Sequence, residues 1–351
     1  MENYKLLLDK IKVVALDMDG VMRIGKRPIH GIHSLLEKIK TKGLKAMVVT
    51  NECRYTEGKI RHDFYDMKIK WLDEWSIYTS ANSVTDFLVK TIQKKSFLGG
   101  SHPNKISLEA VFSDDEVLTP RTKSSVKSGI TRNRSSSGVD LVRSMSRSKL
   151  YDEFDEPNVT GYIGVVGEKG LKEAVKDAIR RIADKKIHVE MANLPPFESG
   201  DYQLYLVIGT LYNLDIADLE KALKWIKSGA KVIISCPDTV DPELKGDFSI
   251  CMPRHILHMV RLNAQTDYYC VGKPNALMAR AISNIFREDN VNMDEILFVG
   301  DSLNTDIKLA EENGMVSALV LTGNTTLRDL EKSCVQPDMV FRTLEQLADI
   351  L

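Results

Sequence analysis

Two aspartates stand two residues apart in the string Asp17-Met18-Asp19-Gly20, directly after the apolar run at 12–16. Carboxylates this close repel unless a cation or a shared proton relieves them. Taken alone, the pair reads equally well as a polar turn facing water. A second acid-bearing string, Gly300-Asp301-Ser302-Leu303-Asn304-Thr305-Asp306, also follows an apolar run, at 296–299. If the two runs are neighbouring strands, three or four carboxylates converge. An all-oxygen ligand set suits a hard cation, magnesium above zinc, with waters completing the octahedron. Asp301 and Asp306 also have a simpler reading, as a helix cap and an exposed first-turn acid. Thr50 and Asn51 end another apolar run and offer a hydroxyl, an amide and backbone N–H groups, the equipment for holding phosphate oxygens. Lys273, in Val271-Gly272-Lys273-Pro274, stands at a strand-to-helix junction, with Pro274 suited to the first helical position and the ammonium able to reach the same crevice.

The elements that would carry these residues follow from hydrophobic periodicity. Residues 12–16 predict a buried strand with the acids at its C-terminal end, where ligand crevices form in parallel sheets. Ile32, Leu35, Leu36 and Ile39 predict a helix over 31–42, with Gly43 placed to end it. A strand at 44–49, a helix at 56–67, a strand at 76–79 and a helix with Val84, Phe87, Leu88 and Ile92 on one face complete a β-α-β-α-β-α block. The same style resumes late, with strands at 268–271, 296–299 and 316–321 and helices at 274–287 and 303–313. Between the blocks lie further strands (159–166, 203–208, 230–235) and helices (168–183, 216–227). The expectation is an α/β protein with a Rossmann-like parallel-sheet core made of residues 1–95 and 268–351, into which a second α/β domain, 96–267, is inserted. A length of 351 residues suits two domains.

Composition narrows the function classes. A formal net charge of -1 gives no global reason to expect a nucleic acid or membrane partner. Five cysteines without a CxxC pair suit reduced thiols, a cytoplasmic setting and no structural zinc. Acidic and basic residues interrupt the N-terminal apolar stretch, against a signal peptide, and no run is long enough to predict a membrane span. Residues 119–150 carry eight Lys and Arg, including Arg134, Arg143 and Arg147, against the single acid Asp140, with many serines and no aromatics. Such a stretch cannot offset its ordering entropy and predicts a mobile loop; its Arg-x-Ser strings are kinase-acceptor-like and offer a place for a kinase or partner.

The strings DxDG, TN, GKP and GDxxxTD, in this order, resemble the haloacid dehalogenase superfamily. Asp17-Met18-Asp19-Gly20-Val21, Val49-Thr50-Asn51, Gly272-Lys273-Pro274, Gly300-Asp301 through Ile307, and Leu321-Thr322-Gly323 are similar to the capped subfamily IIA that includes p-nitrophenylphosphatase, phosphoglycolate phosphatase and chronophin. The resemblance implies a Rossmann-like core with an α/β cap. It implies that Asp17 attacks phosphorus, that Asp19 protonates the leaving oxygen and then activates water, and that Thr50 and Lys273 hold phosphoryl oxygens. It also implies that Mg2+ lies on Asp17, Asp301 and the Asp19 carbonyl, with Asp306 supporting that shell. The substrate would be a small phosphomonoester, and relatives pair through their caps, which implies a homodimer. Alternatives are a non-hydrolytic scaffold on the same fold, or phosphotransfer to an acceptor other than water. This chain departs from the pattern at Glu52, where relatives usually have asparagine, and in the cap at Ser235-Cys236-Pro237-Asp238 and Cys251-Met252-Pro253-Arg254. Asp238 either contacts the leaving group or caps a turn before Pro242.

Overall fold

A computed structural model describes residues 2–69, 75–97, 159–182, 187–196, 200, 202–240, 249–262, 264 and 266–351. The basic serine-rich stretch at 119–150, with its acceptor-like serines, lies outside the described residues.

The described residues form two parallel sheets. The first contains β1 (Val13–Leu16), β4 (Lys45–Thr50), β5 (Ser76–Thr79), β11 (Ile296–Gly300), β12 (Val316–Val320) and β13 (Met339–Phe341), in the order β13-β12-β11-β1-β4-β5. A short hairpin, β2 (Arg23–Ile24) with β3 (Arg27–Pro28), follows β1. The second sheet contains β6 (Val159–Val166), β7 (His188–Met191), β8 (Gln203–Ile208), β9 (Lys231–Ile234) and β10 (Tyr268–Cys270), in the order β10-β9-β8-β6-β7. Val13–Leu16 is buried throughout, as a strand covered by helices on both faces must be. One face packs on the helices Ile32–Thr41, Glu57–Asp66 and Leu344–Ile350, the other on Ala276–Ile285 and Lys308–Glu312.

Chain order reverses at the β11/β1 boundary: β1, β4 and β5 run outward one way, β11, β12 and β13 the other. In open α/β sheets the ligand crevice lies at such a switch point, beyond the strands' carboxyl ends. The register Leu16↔Val299 and Leu16↔Val48 brings the ends of β11, β1 and β4 level, so that Asp301, Asp17 and Thr50 emerge side by side.

Three expectations need correction. The strand at 268–271, read as the start of the second core block, pairs instead with β9 at the edge of the second sheet, with Cys270 beside Ile234. The helix Ser80–Phe97, read with the first block, buries Val84, Phe87, Leu88 and Ile92 against Ile163, Val165, Leu171 and Val175 of the second sheet and its helix. Pro274 does not open a helix: the peptide before it is cis, Asn275 caps the helix by accepting the Leu277 N–H, and the helix begins at Ala276.

Candidate active site

Asp17 follows β1 and donates its N–H to the Val299 carbonyl at 2.9 Å, which ties the residue to β11. Asp301 follows β11. Its Oδ2 accepts the Asn324 N–H at 2.6 Å, and its carbonyl accepts the Thr325 N–H at 3.1 Å. Asp306 lies in a π-helical segment, Leu303–Ile307, and its Oδ2 accepts the N–H groups of both Asp301 and Ser302 at 3.1 Å. Gly20, at φ +88°, and Gly323 press against the Asp301 carboxylate so closely that a Cβ on either would overlap it. Gly300 is likewise closed off by Asp306. The glycines in the acid-bearing strings are therefore there for close approach.

Lys273 enters this acidic cluster from the other sheet. Its chain segment leaves β10, and its Nζ lies 2.6 Å from Asp17 Oδ1, 2.7 Å from Asp306 Oδ1 and 3.1 Å from the Val49 carbonyl. The residue is 1% exposed. Burial disfavours its ammonium, but Asp17 and Asp306 outweigh that and raise its pKa. Asp17 and Asp301 are pushed well above the ordinary carboxylate range, first by burial and then by repulsion, with Asp306 the leading neighbour for both. Single carboxylate oxygens of Asp17, Asp301 and Asp306 lie within 4.8 Å of one another. Two of these buried carboxylates pair with one ammonium and the third lies beside them; when all three are ionised, the excess of two negative charges is one that a divalent cation would balance, and the donors are all oxygen.

Asp19 lines the same crevice but is paired separately. Its Oδ1 accepts the Arg23 Nε–H at 3.0 Å, and its side chain is outside the Asp17–Asp301–Asp306 group. Burial raises its pKa to about 6, against the opposing pull of Arg23. Glu52, the departure from the family pattern, is matched by Arg54: Nη2 lies 2.8 Å from Oε2, and both side chains are buried. Arg54 packs over the rings of Tyr55 and Tyr212, at 5.7 and 5.5 Å, and so joins this loop to the second sheet.

Thr50 is buried, and its hydroxyl accepts the Glu52 N–H at 3.1 Å. Asn51 grips the lysine segment with both ends of its amide: Oδ1 accepts the Lys273 N–H at 2.8 Å, and Nδ2 donates to the Lys273 carbonyl at 3.3 Å and to Asp238 Oδ2 at 3.0 Å. Gly272 is pinched between the Ser235 carbonyl and Asn51 Oδ1. Asp17, Asp19, Thr50, Asn51, Glu52, Asp238, Lys273 and Asp301 line one crevice of about 910 Å³, whereas Asp306 sits behind Asp301 and Lys273. Sequence reasoning missed Arg23 and Arg54. The available signal was an arginine four residues after Asp19 in an otherwise apolar segment, and another two after Glu52.

Two family models match the two blocks: one described as a haloacid dehalogenase-like hydrolase over residues 14–111, the other as HAD-hydrolase-like over 270–347. The chain belongs to the haloacid dehalogenase superfamily. Both models are of hydrolases, and the curated relatives it matches are named phosphatases. Among this superfamily's curated members, it is 24% identical over 242 residues to a dihydroxyacetone phosphatase of Corynebacterium glutamicum, covering 68% of this chain and 78% of that one. It is 24% identical to the ribonucleotide monophosphatase NagD of Escherichia coli, covering 62% and 83%. In fold it resembles a 4-nitrophenylphosphatase from Thermotoga maritima, with a TM-score of 0.65, 23% identity and 98% of each chain covered. Among the described residues, no helix is long and apolar enough to cross a membrane.

Proposed function

We propose that this chain hydrolyses a small aliphatic phosphomonoester through a phosphoryl group carried on Asp17, with Asp19 as its acid and base. The carrying observation is the convergence of Asp17, Asp301 and Asp306 on Lys273 at the sheet's switch point. The two-charge excess and the all-oxygen donor set fit magnesium, which the family resemblance assigns to Asp17, Asp301 and the Asp19 carbonyl. The two N–H groups bound by Asp306 Oδ2 support a role for that residue behind the ligands. When bound, the ion would shield the negative charge of nucleophile and ester from each other.

Asp17 forms a bond to phosphorus as the ester oxygen departs with the proton of Asp19. Asp19, now ionised, takes a proton from a water, whose oxygen attacks phosphorus and releases phosphate with Asp17 restored. A carboxyl raised to about 6 is protonated often enough to donate and ionised often enough to accept near neutral pH. Lys273 and Thr50 hold phosphoryl oxygens. Asn51, whose amide is taken up by Lys273 and Asp238, contributes by fixing the lysine segment, not by holding phosphate.

The second sheet serves as the cap, ending at Cys270 because β10 belongs to it. The described lining of the crevice holds no aromatic residue on which a base could stack, whereas Thr210, Asp238, Thr239 and Arg254 can address hydroxyl or anionic groups. A triose or sugar phosphate fits that lining better than a nucleotide. The test is phosphate release from dihydroxyacetone phosphate, sugar phosphates, nucleoside monophosphates and p-nitrophenyl phosphate, with magnesium and after chelation. Magnesium-dependent turnover favouring the aliphatic esters is expected. Inertness across the panel contradicts the reading.

A further inference from the structure

We propose that Arg23 is the positioning residue that fixes Asp19 as proton donor to the leaving oxygen. The inference rests on the role of Asp19 proposed above. Arg23 opens the hairpin that follows the acidic string, and the loop closes on it: the Gly20 N–H donates to the Arg23 carbonyl at 2.8 Å, and the Arg23 N–H to the Met18 carbonyl at 3.1 Å. The side chain is buried beneath the site, and Nε donates to Asp19 Oδ1 at 3.0 Å. Its guanidinium carbon lies 5.8 Å from the Tyr55 ring centre and 6.0 Å from that of Phe64, while Nη1 is 3.8 Å from Asp63 Oδ2. Rings and carboxylates thus hold the fork in one orientation. Nη2 is buried without a hydrogen-bond partner in the described structure. An unsatisfied buried donor is costly, so an arginine is a poor way merely to fill this space.

The consequence concerns which carboxyl oxygen carries the proton. A carboxylic acid has one O–H and one accepting oxygen. The Arg23 N–H occupies Oδ1, so the proton resides on Oδ2, on the side away from the guanidinium. In the first half-reaction the Asp17–phosphorus bond forms, the ester P–O bond breaks and that proton passes from Oδ2 to the departing oxygen. Without Arg23 the carboxyl rotates and presents either oxygen. The loss matters for an alkyl ester, whose leaving alkoxide is strongly basic. It matters little for p-nitrophenyl phosphate, whose phenolate leaves unprotonated. Because kcat/KM reports steps through departure of the leaving group, it isolates this transfer from the later attack of water.

The experiment compares Arg23→Met and Arg23→Lys with wild type, Asp19→Asn and the double variant Arg23→Met/Asp19→Asn. It measures kcat/KM for p-nitrophenyl phosphate and for the alkyl phosphate with the highest turnover in the panel above, with melting temperatures recorded in parallel. Arg23→Met is expected to lose about 10²-fold on the alkyl ester and only a few-fold on the aryl ester. Arg23→Lys, charged but without the fork, falls between, and the double variant is no worse than Asp19→Asn. If Arg23→Met does not fold, the alkyl-to-aryl ratio of Arg23→Lys decides by the same criterion. Equal losses on both esters, or no loss on either, overturn the proposal. If wild type turns over neither ester, the role of Asp19 itself fails, an outcome distinct from an unchanged ratio.

Discussion

Around Lys273 two buried carboxylates, Asp17 and Asp306, share a single ammonium with the Asp301 carboxylate close beside them, whereas a few residues away Asp19 has its own cation in Arg23, and Glu52 has Arg54. Both groups are buried at the same crevice, so the difference is one of balance, not of environment. A matched buried pair is locally neutral and can be replaced as a unit at modest cost. An unmatched cluster cannot: its charge must be met by a cation from solution or by protonation, and both answers place reactive groups there. The contrast also accounts for Glu52. An acid beside a phosphate site would repel the substrate, but here Arg54 cancels it and anchors the loop to the second sheet.

Four perturbations test this comparison. Removing the single cation of the unmatched cluster, in Lys273→Met, is expected to lower kcat/KM by about 10³-fold, because an electrostatic stabiliser is lost and three carboxylates are left together. Steady-state kinetics at saturating magnesium check it. Next, Gly323→Ala places a Cβ where the Asp301 carboxylate lies, and displacing that group by about 1 Å should lower turnover by about 10²-fold and raise the magnesium concentration needed for half-activity. Gly58→Ala, with nothing near its added methyl, should leave both unchanged.

The third perturbation is pH. Asp17, Asp19 and Asp301 all have folded-state pKa values above the unfolded one, so the folded protein holds protons that the unfolded chain has released. The contribution of these three groups to the stability of the metal-free protein therefore falls as pH rises above 3.8, through about 6 for Asp19 and further for the other two. Magnesium should raise the melting temperature more at pH 7 than at pH 5. Equal increments at both values would contradict the unmatched-charge account. The smallest effect belongs to the matched pair. Glu52→Gln alone should cost about 3 kcal/mol by stranding Arg54, and the double variant Glu52→Gln/Arg54→Met should cost less than the single one, as denaturant unfolding would show.

Much of the first sheet was legible because its strands are buried on both faces and read as apolar runs ending in acids, as at Asp17 and Asp301. The reading of Val159–Val166, Gln203–Ile208 and Ile216–Lys227 matched for the same reason of strong periodicity. What escaped was pairing. Tyr268–Cys270 is three residues long, and nothing local states which sheet it joins. His188–Met191, of four residues, and Met339–Phe341, of three, are also short and were not anticipated. At the site, the residue types were legible, but partner choice was not. The spacing of an arginine after Asp19 or Glu52 does not state which carboxylate it will pair with, and Asn51 gives no sign that its amide turns to the Lys273 peptide.

The central claim, that Asp17 carries the phosphoryl group, is tested most directly by intact-mass spectrometry of enzyme acid-quenched during turnover with magnesium. The account predicts a fraction of wild type heavier by one phosphoryl group, mapped by peptide analysis to Asp17 and absent from Asp17→Asn, which releases no phosphate. Undiminished phosphate release by Asp17→Asn, or the phosphoryl group mapped to another residue, would contradict it.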